Sequence, residues 1–249
     1  MIDTADMLTI CRTTYTRVLR TKSLYLLLAS VLCLVGAAHL YTDLTCGRQK
    51  ELMYDSGAAL ITLVGLLSGL MVTFDIARDL REKVALVLLS KPLGRAHYLL
   101  GKFFGVAYLV TINIALVTVG IMAILHWEFG GWKWDFLQVA LSTWGSMIMV
   151  TALGVLFASF LTELPAALLT LVVFVLGHSW EFLARTGAGI GKILFCVLPN
   201  FCLLDFKSEL GNTIGVSWGV VLMAVVYALV YSIALLSLST ILFSKRDLA

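Results

Sequence analysis

Charged residues are scarce in this chain. Only 13% of its 249 residues are Asp, Glu, Lys or Arg, whereas a soluble domain carries about 25%. Hydrophobic residues make up 60% of the sequence, and a soluble fold of this length has too small a core to bury so much apolar surface. The excess must face lipid, which indicates an integral membrane protein rather than a water-soluble enzyme or binding domain.

Proline and polar low-complexity sequence are also nearly absent. The chain has three prolines and no polar run that would serve as a linker, so we expect residues 1–249 to form a single transmembrane domain. The five cysteines show no spacing typical of a metal site or a disulfide framework. Two of the three residues Cys46, Cys196 and Cys202 could form a disulfide in an oxidising compartment. The alternative is that all three are free thiols, buried as small hydrophobic side chains.

Six apolar runs approach the length of about 20 residues that a membrane-spanning helix needs. In residue numbers they are 24–40, 57–74, 103–125, 139–161, 164–183 and 214–243. The fourth and fifth runs are separated only by Thr162 and Glu163. Because Pro165 suits the first turn of a new helix, we expect a tight helical hairpin there. The pattern predicts an all-α membrane fold with six spans.

Lysine and arginine are unevenly distributed between the two sides of this arrangement. With the N-terminus inside, 12 of them lie on the inner side and six on the outer side. Cytoplasmic segments carry such an excess, so we expect both termini in the cytoplasm. Tryptophans prefer the membrane boundary, and five fall at or near the predicted outer one: Trp127, Trp132, Trp134, Trp180 and Trp218.

Residues 5–20 have the periodicity of an amphipathic helix. Apolar residues fill one half of a helical wheel, interrupted only by Thr14, and three arginines lie on the other half. This predicts an interfacial helix on the inner membrane surface, with packing on another subunit as the alternative. The following run ends near Gly36-Ala37-Ala38, which resembles a leader cleavage site, but we expect the run to remain as the first span.

The longest predicted outer loop is 184–213. Its apolar stretch 190–198 is too short to cross a membrane, which favours a segment that folds back into the outer leaflet. Glycines spaced by four residues occur at the start of the sixth span and within the second, and such spacing lets helices approach closely. They are Gly65, Gly69, Gly211, Gly215 and Gly219. They fit packing within the bundle or between two copies.

The segment 75–83, predicted on the inner side, is the most highly charged part of the chain. Acids and bases fill one arc of its helical wheel, and apolar residues form a stripe on the other. The charged set is Asp75, Arg78, Asp79, Arg81, Glu82 and Lys83. A mixed-sign surface is typical of protein docking, where charge sets register and partner choice. The alternative is a solvated helix end with pairs such as Arg78–Glu82.

The residues that follow this segment resemble a known family. Leu88-Leu89-Ser90-Lys91-Pro92-Leu93-Gly94-Arg95 and then Gly101-Lys102 resemble the first cytoplasmic loop of ABC-2 type ABC transporter permeases. Leu198-Pro199-Asn200-Phe201 with Asp205 is similar to the class linked to multicopper-enzyme maturation. The resemblance implies the permease subunit of an ATP-driven exporter, with 75–83 as the coupling helix that docks a separate ATPase.

The same resemblance implies the partners and the location. ATP and Mg²⁺ would be bound by a soluble ABC ATPase subunit, so this chain would hold no catalytic residue, cofactor or metal of its own. A second permease, identical or related, would complete the assembly in the plasma (inner) membrane of a bacterium. Membrane lipid would surround it, and no nucleic acid is involved.

The alternative function is that of another polytopic membrane protein that works without an ATPase, above all a secondary transporter. Such proteins need buried acids or broken helices near the membrane midplane, whereas the acids here lie at span ends or in loops. Asn113 is the one amide inside the third run. We expect it to bond a neighbouring helix, with lining of a transport pathway as the alternative. The glycine-rich segment 186–192 lacks the first Gly and the final Ser/Thr of a phosphate-binding loop, so we expect no nucleotide there.

Overall fold

The computed structural model describes residues 11–14, 16, 49–81, 95–130, 134–179, 198–207 and 216–244. Apart from a short helical stretch at 11–14, this part of the chain forms five α-helices and one short 3-10 helix. They are α1 (Gln49–Arg81), α2 (Arg95–Phe129), α3 (Trp134–Ala158), α4 (Glu163–His178), the 3-10 helix η1 (Phe201–Leu204) and α5 (Trp218–Ser244).

Four of these helices are long and apolar enough to cross a membrane. The stretches concerned are Met53–Arg81, Ala96–Trp127, Trp134–Ala158 and Trp218–Phe243, which match the predicted runs 57–74, 103–125, 139–161 and 214–243. The run 164–183 is represented by α4, a shorter apolar helix of 16 residues. The run 24–40 and most of the predicted interfacial helix lie outside the described residues.

The third helix, α3, lies at the centre of the bundle. In its apolar stretch 89% of the residues are buried, compared with 39% in α5. The helices α1, α2, α4 and α5 all pack on α3, so α3 has little contact with lipid. Its two glycines make this packing close, because Cβ atoms at Gly145 and Gly154 would crowd Ala228 of α5 and Thr73 of α1.

The glycines of the second predicted run lie on the face of α1 that crosses α3. A Cβ at Gly65 would clash with the Met147 side chain, and one at Gly69 would lie 3.0 Å from the Thr151 Oγ1. These contacts lie within one chain. Gly219 is exposed at the start of α5, whereas Gly211 and Gly215 lie outside the described residues.

The turn between α3 and α4 is as short as the sequence predicts. The first of these helices ends at Ala158 and the second begins at Glu163, with Pro165 in its first turn. The Leu161 N–H donates to the Phe157 carbonyl at 2.9 Å, which closes the turn. The two helices therefore run antiparallel.

The aromatic residues indicate where the membrane lies along the bundle. Trp127, Trp134 and Trp218 are 88%, 61% and 44% exposed and lie at one end, here called the tryptophan end. A bilayer core of about 30 Å corresponds to about 20 helical residues. Counting from Trp127 and from Tyr54, whose ring stacks on Phe136 at the same end, the opposite boundary falls near residues 107 and 74.

By this count, residues 75–81 of α1 and 95–106 of α2 exceed the length that the hydrocarbon layer needs. We call these two segments the stalk, and their end of the bundle the stalk end. The α1 part rises about 10 Å at 1.5 Å per residue. The α3–α4 turn and the end of α5 lie at this same end, because consecutive helices alternate in direction.

Candidate functional site

A buried cluster of charges holds the stalk together. The Lys102 ammonium on α2 donates to the carboxylates of Asp75 and Asp79 on α1, with 2.8 Å between Nζ and the Asp79 Oδ2. The Tyr98 hydroxyl donates to the same Asp79 oxygen at 3.1 Å. Lys102 and Asp79 are each 3% exposed. Buried charges are tolerated only when they are paired, so this cluster fixes α1 against α2.

The spacing of these residues explains why the cluster forms. Asp75 and Asp79 are four residues apart and share one face of α1, and Tyr98 and Lys102 have the same spacing on α2. The two faces meet where the helices pack. The Tyr98 ring also stacks on Phe243 of α5 with centroids 6.3 Å apart, so the end of α5 covers the cluster.

The structure separates the acids of the predicted docking set from its arginines. Asp75 and Asp79 point inward to Lys102, while Arg78 and Arg81 are exposed on the stalk surface. Glu82 and Lys83 lie outside the described residues. Sequence reasoning did not identify Lys102 and Tyr98 as partners of the two acids, although the matching four-residue spacing on both helices is a usable signal.

A second ionic contact joins the stalk to α4. The Arg81 Nη2 lies 3.1 Å from the Glu163 Oε1, and the two side chains are 67% and 25% exposed. Although this Glu163 oxygen is buried, no described residue donates a hydrogen bond to it, so the contact is ionic without good hydrogen-bond geometry. A cleft of about 360 Å³ lies beside the pair. Its other lining residues are Ala77, Leu80, Leu161, Thr162, Leu164 and Pro165.

Deeper in the bundle, α1 and α2 are joined by an amide. The Asn113 Nδ2 donates to the Ser68 Oγ at 2.9 Å, and the contact is buried, which confirms the expected bond to a neighbouring helix. Asn113 lies three helical turns from Lys102, about 16 Å along α2. Polar contacts at two levels along the helix axes therefore hold α1 against α2.

At the tryptophan end, η1 inserts between α4 and α5. Phe201 is fully buried, and its ring lies 5.3 Å from that of Phe174 and 5.4 Å from that of His178. Gly177 leaves the space that Phe201 fills. The Asn200 N–H donates to the Tyr227 hydroxyl of α5 at 3.1 Å. The described residues of the predicted outer loop thus close this end of the bundle, and residues 190–197 lie outside the description.

Within the described ranges, no group of three His, Cys, Asp or Glu side chains is placed to hold a metal ion. Cys11 and Cys202 are free thiols, and Cys46 and Cys196 lie outside those ranges. Burial raises the pKa of the Cys11 thiol above its ordinary value, which lowers its reactivity. Thr14 on the same turn is buried and contacts α2 at Gly105, which explains the polar residue on the apolar half of the wheel.

Comparison with protein families gives one match. The model of the family described as "ABC-2 family transporter protein" matches residues 7–189, well over half of the chain. The matched range contains the stalk, its charge cluster and the α3–α4 turn. No curated protein matches the chain.

Proposed function

Because the chain belongs to the ABC-2 family of transporter membrane proteins, we propose that it is the permease subunit of an ATP-driven exporter. In this proposal a separate soluble ATPase binds ATP and Mg²⁺, and two permeases assemble with two ATPases. Family membership makes the chain a non-catalytic membrane subunit. The observation that carries the proposal is the stalk, which presents two exposed arginines beyond the membrane on a rigidly fastened helix pair.

Arg78 and Arg81 are the proposed contacts for the ATPase. Both are exposed near the end of α1, and the neighbouring carboxylates of Asp75 and Asp79 are occupied by Lys102. Both arginines are thus accessible at the surface of the stalk, and exposed charge is recognised by a partner of complementary charge. Glu82 and Lys83 continue the predicted docking set beyond the described residues.

The polar contacts between α1 and α2 provide a route for coupling. When the ATPase dimer closes on ATP, it would displace the end of α1, and the Lys102 cluster and the Asn113–Ser68 bond would carry α2 with it. The bundle would then alternate between two states that differ in their contacts with the ATPase. The scarcity of charge inside the spans favours an apolar or amphiphilic cargo.

Purification of the tagged permease with its ATPase tests this proposal. We expect a stoichiometric ABC ATPase in the purified complex and ATP hydrolysis that is lost when the phosphate-binding lysine of that ATPase is substituted. The lone permease in proteoliposomes is the control. Transport by the lone chain, driven by an ion gradient and independent of ATP, would contradict the proposal and support the secondary-transporter alternative.

We further propose that the stalk end and both termini face the cytoplasm, in the plasma membrane of a bacterium. The excess of lysine and arginine at the stalk end supports this orientation. Alkaline phosphatase fused after Ala249 should be inactive, and the same enzyme fused after Gly131, at the tryptophan end, should be active. Green fluorescent protein fusions should give the opposite result. An active phosphatase at the C-terminus would overturn the orientation.

A further inference from the structure

We propose that the Arg81–Glu163 ion pair is a latch between the stalk and α4, and that docking of the ATPase on the stalk opens this latch. The proposal rests on the proposed function, because it assigns the ATPase to the surface that carries Arg78 and Arg81. It adds a consequence of docking: when an acidic group of the ATPase pairs with Arg81, α4 loses its ionic contact with the stalk.

The exposure of Arg81 makes the latch easy to open. Its side chain is 67% exposed and Glu163 is 25% exposed, with 3.1 Å between the paired atoms. Exposed ion pairs are weak and are screened by salt. An acidic group on the docked partner can therefore compete with Glu163 for the guanidinium of Arg81.

Loss of the ion pair is more unfavourable for Glu163 than for Arg81. Its Oε1 is buried and accepts no hydrogen bond from any described residue, so Arg81 is the cation that offsets its burial. A buried carboxylate oxygen that loses its cation is unfavourable. Opening the pair therefore favours a shift of the first turn of α4 that brings this oxygen to water or to another donor. The adjoining cleft of about 360 Å³ gives it space to do so.

Movement of α4 would also change the packing at the tryptophan end of the bundle. Only residues 159–162 join α4 to α3, and the last turns of α4 carry Phe174 and His178, which pack on the buried Phe201. The 16 residues of α4 span about 24 Å at 1.5 Å per residue. The latch thus connects docking at the stalk with the η1 insertion at the tryptophan end.

Electron paramagnetic resonance distances test the latch with Arg81 and Glu163 left in place. Nitroxides are attached at Phe74→Cys on α1 and Leu168→Cys on α4, two exposed positions, after the native cysteines are replaced by Ser. We expect the ATPase to lengthen or broaden this distance in nanodiscs. Arg81→Gln should do so without the ATPase, because it leaves the Glu163 carboxylate without its cation. The control pair, Phe74→Cys with Phe104→Cys on α2, should not change, because α1 and α2 stay fastened.

Binding affinity provides a second readout. Removing the competitor for Arg81 should strengthen ATPase binding, so Glu163→Gln should lower the Kd by about two- to five-fold, the range for an exposed ion pair. Asp55→Asn, an exposed carboxylate at the other end of α1, should leave the Kd unchanged. An ATPase that binds without altering the α1–α4 distance, or a Kd unchanged in Glu163→Gln, would overturn the latch. An ATPase that does not bind the unaltered permease would instead contradict the proposed function.

Discussion

Lys102→Met is expected to destabilise the protein by about 3–5 kcal/mol, the cost of leaving a buried charge without its partner. Two carboxylates converge on this ammonium, and Lys102 and Asp79 are each 3% exposed. After the substitution, Asp75 and Asp79 would also repel each other. The measurement is the midpoint of thermal unfolding in detergent, together with the yield of monodisperse protein.

Two companion variants separate this effect from general damage. Arg78→Met removes an exposed cation from the same end of α1, and it should cost about 0–1 kcal/mol. The triple variant Lys102→Met/Asp75→Asn/Asp79→Asn removes the charge imbalance, and neutral replacement of a buried ionic group is often tolerated. It should therefore be more stable than Lys102→Met alone. Equal stability of Lys102→Met and the unaltered protein would show that the cluster is not buried in the native state.

Reversal of three charges in the predicted docking segment 75–83 should abolish recovery of the ATPase. Arg78→Glu/Arg81→Glu/Glu82→Lys sets like charges against the partner, which costs several kcal/mol, and each 1.4 kcal/mol is about tenfold in affinity. Insertion into the membrane should be unaffected, because none of these residues lies in a span predicted from the sequence. The measurements are co-purification of the ATPase and ATP hydrolysis by the complex.

The matched control carries reversed charges at the tryptophan end. Asp55→Lys/Lys207→Glu alters two residues at that end and should leave co-purification and hydrolysis unchanged. A single change such as Glu82→Ala should weaken the complex only slightly, since individual rim pairs contribute about 0–1 kcal/mol. If the triple reversal leaves both measurements intact, the ATPase docks on another part of the permease.

The positions of the spanning helices were predictable because bilayer thickness determines their length. Their ends were less predictable. Hydropathy ends the second run at residue 74, where Asp75 begins the charged segment, yet α1 continues without a break to Arg81. A helix can leave the lipid and remain a helix, because its backbone hydrogen bonds do not depend on the solvent. The predicted span and the described part of the predicted coupling helix are thus one element.

The candidate site could be predicted from the sequence less completely than the fold could. The helical wheel placed acids and arginines of 75–83 on one arc, because it contains no information about the helix that packs beside them. Asp75 meets Lys102, 27 residues away, and this contact depends on how α2 is rotated about its axis. Likewise Gly65 and Gly69 form a recognisable repeat, whereas Gly154 is isolated in the sequence and its partner, Thr73, lies on another helix.

The central position of α3 has a consequence for how the protein is synthesised. This helix enters the membrane before α5 has been translated, and its Gln138 side chain bonds the backbone just before α5. The Gln138 amide donates to the Val216 carbonyl at 3.0 Å, a residue 78 positions later in the chain. During that interval the amide faces lipid or the insertion machinery. A nascent chain truncated before Val216 would therefore leave the Gln138 amide without this acceptor.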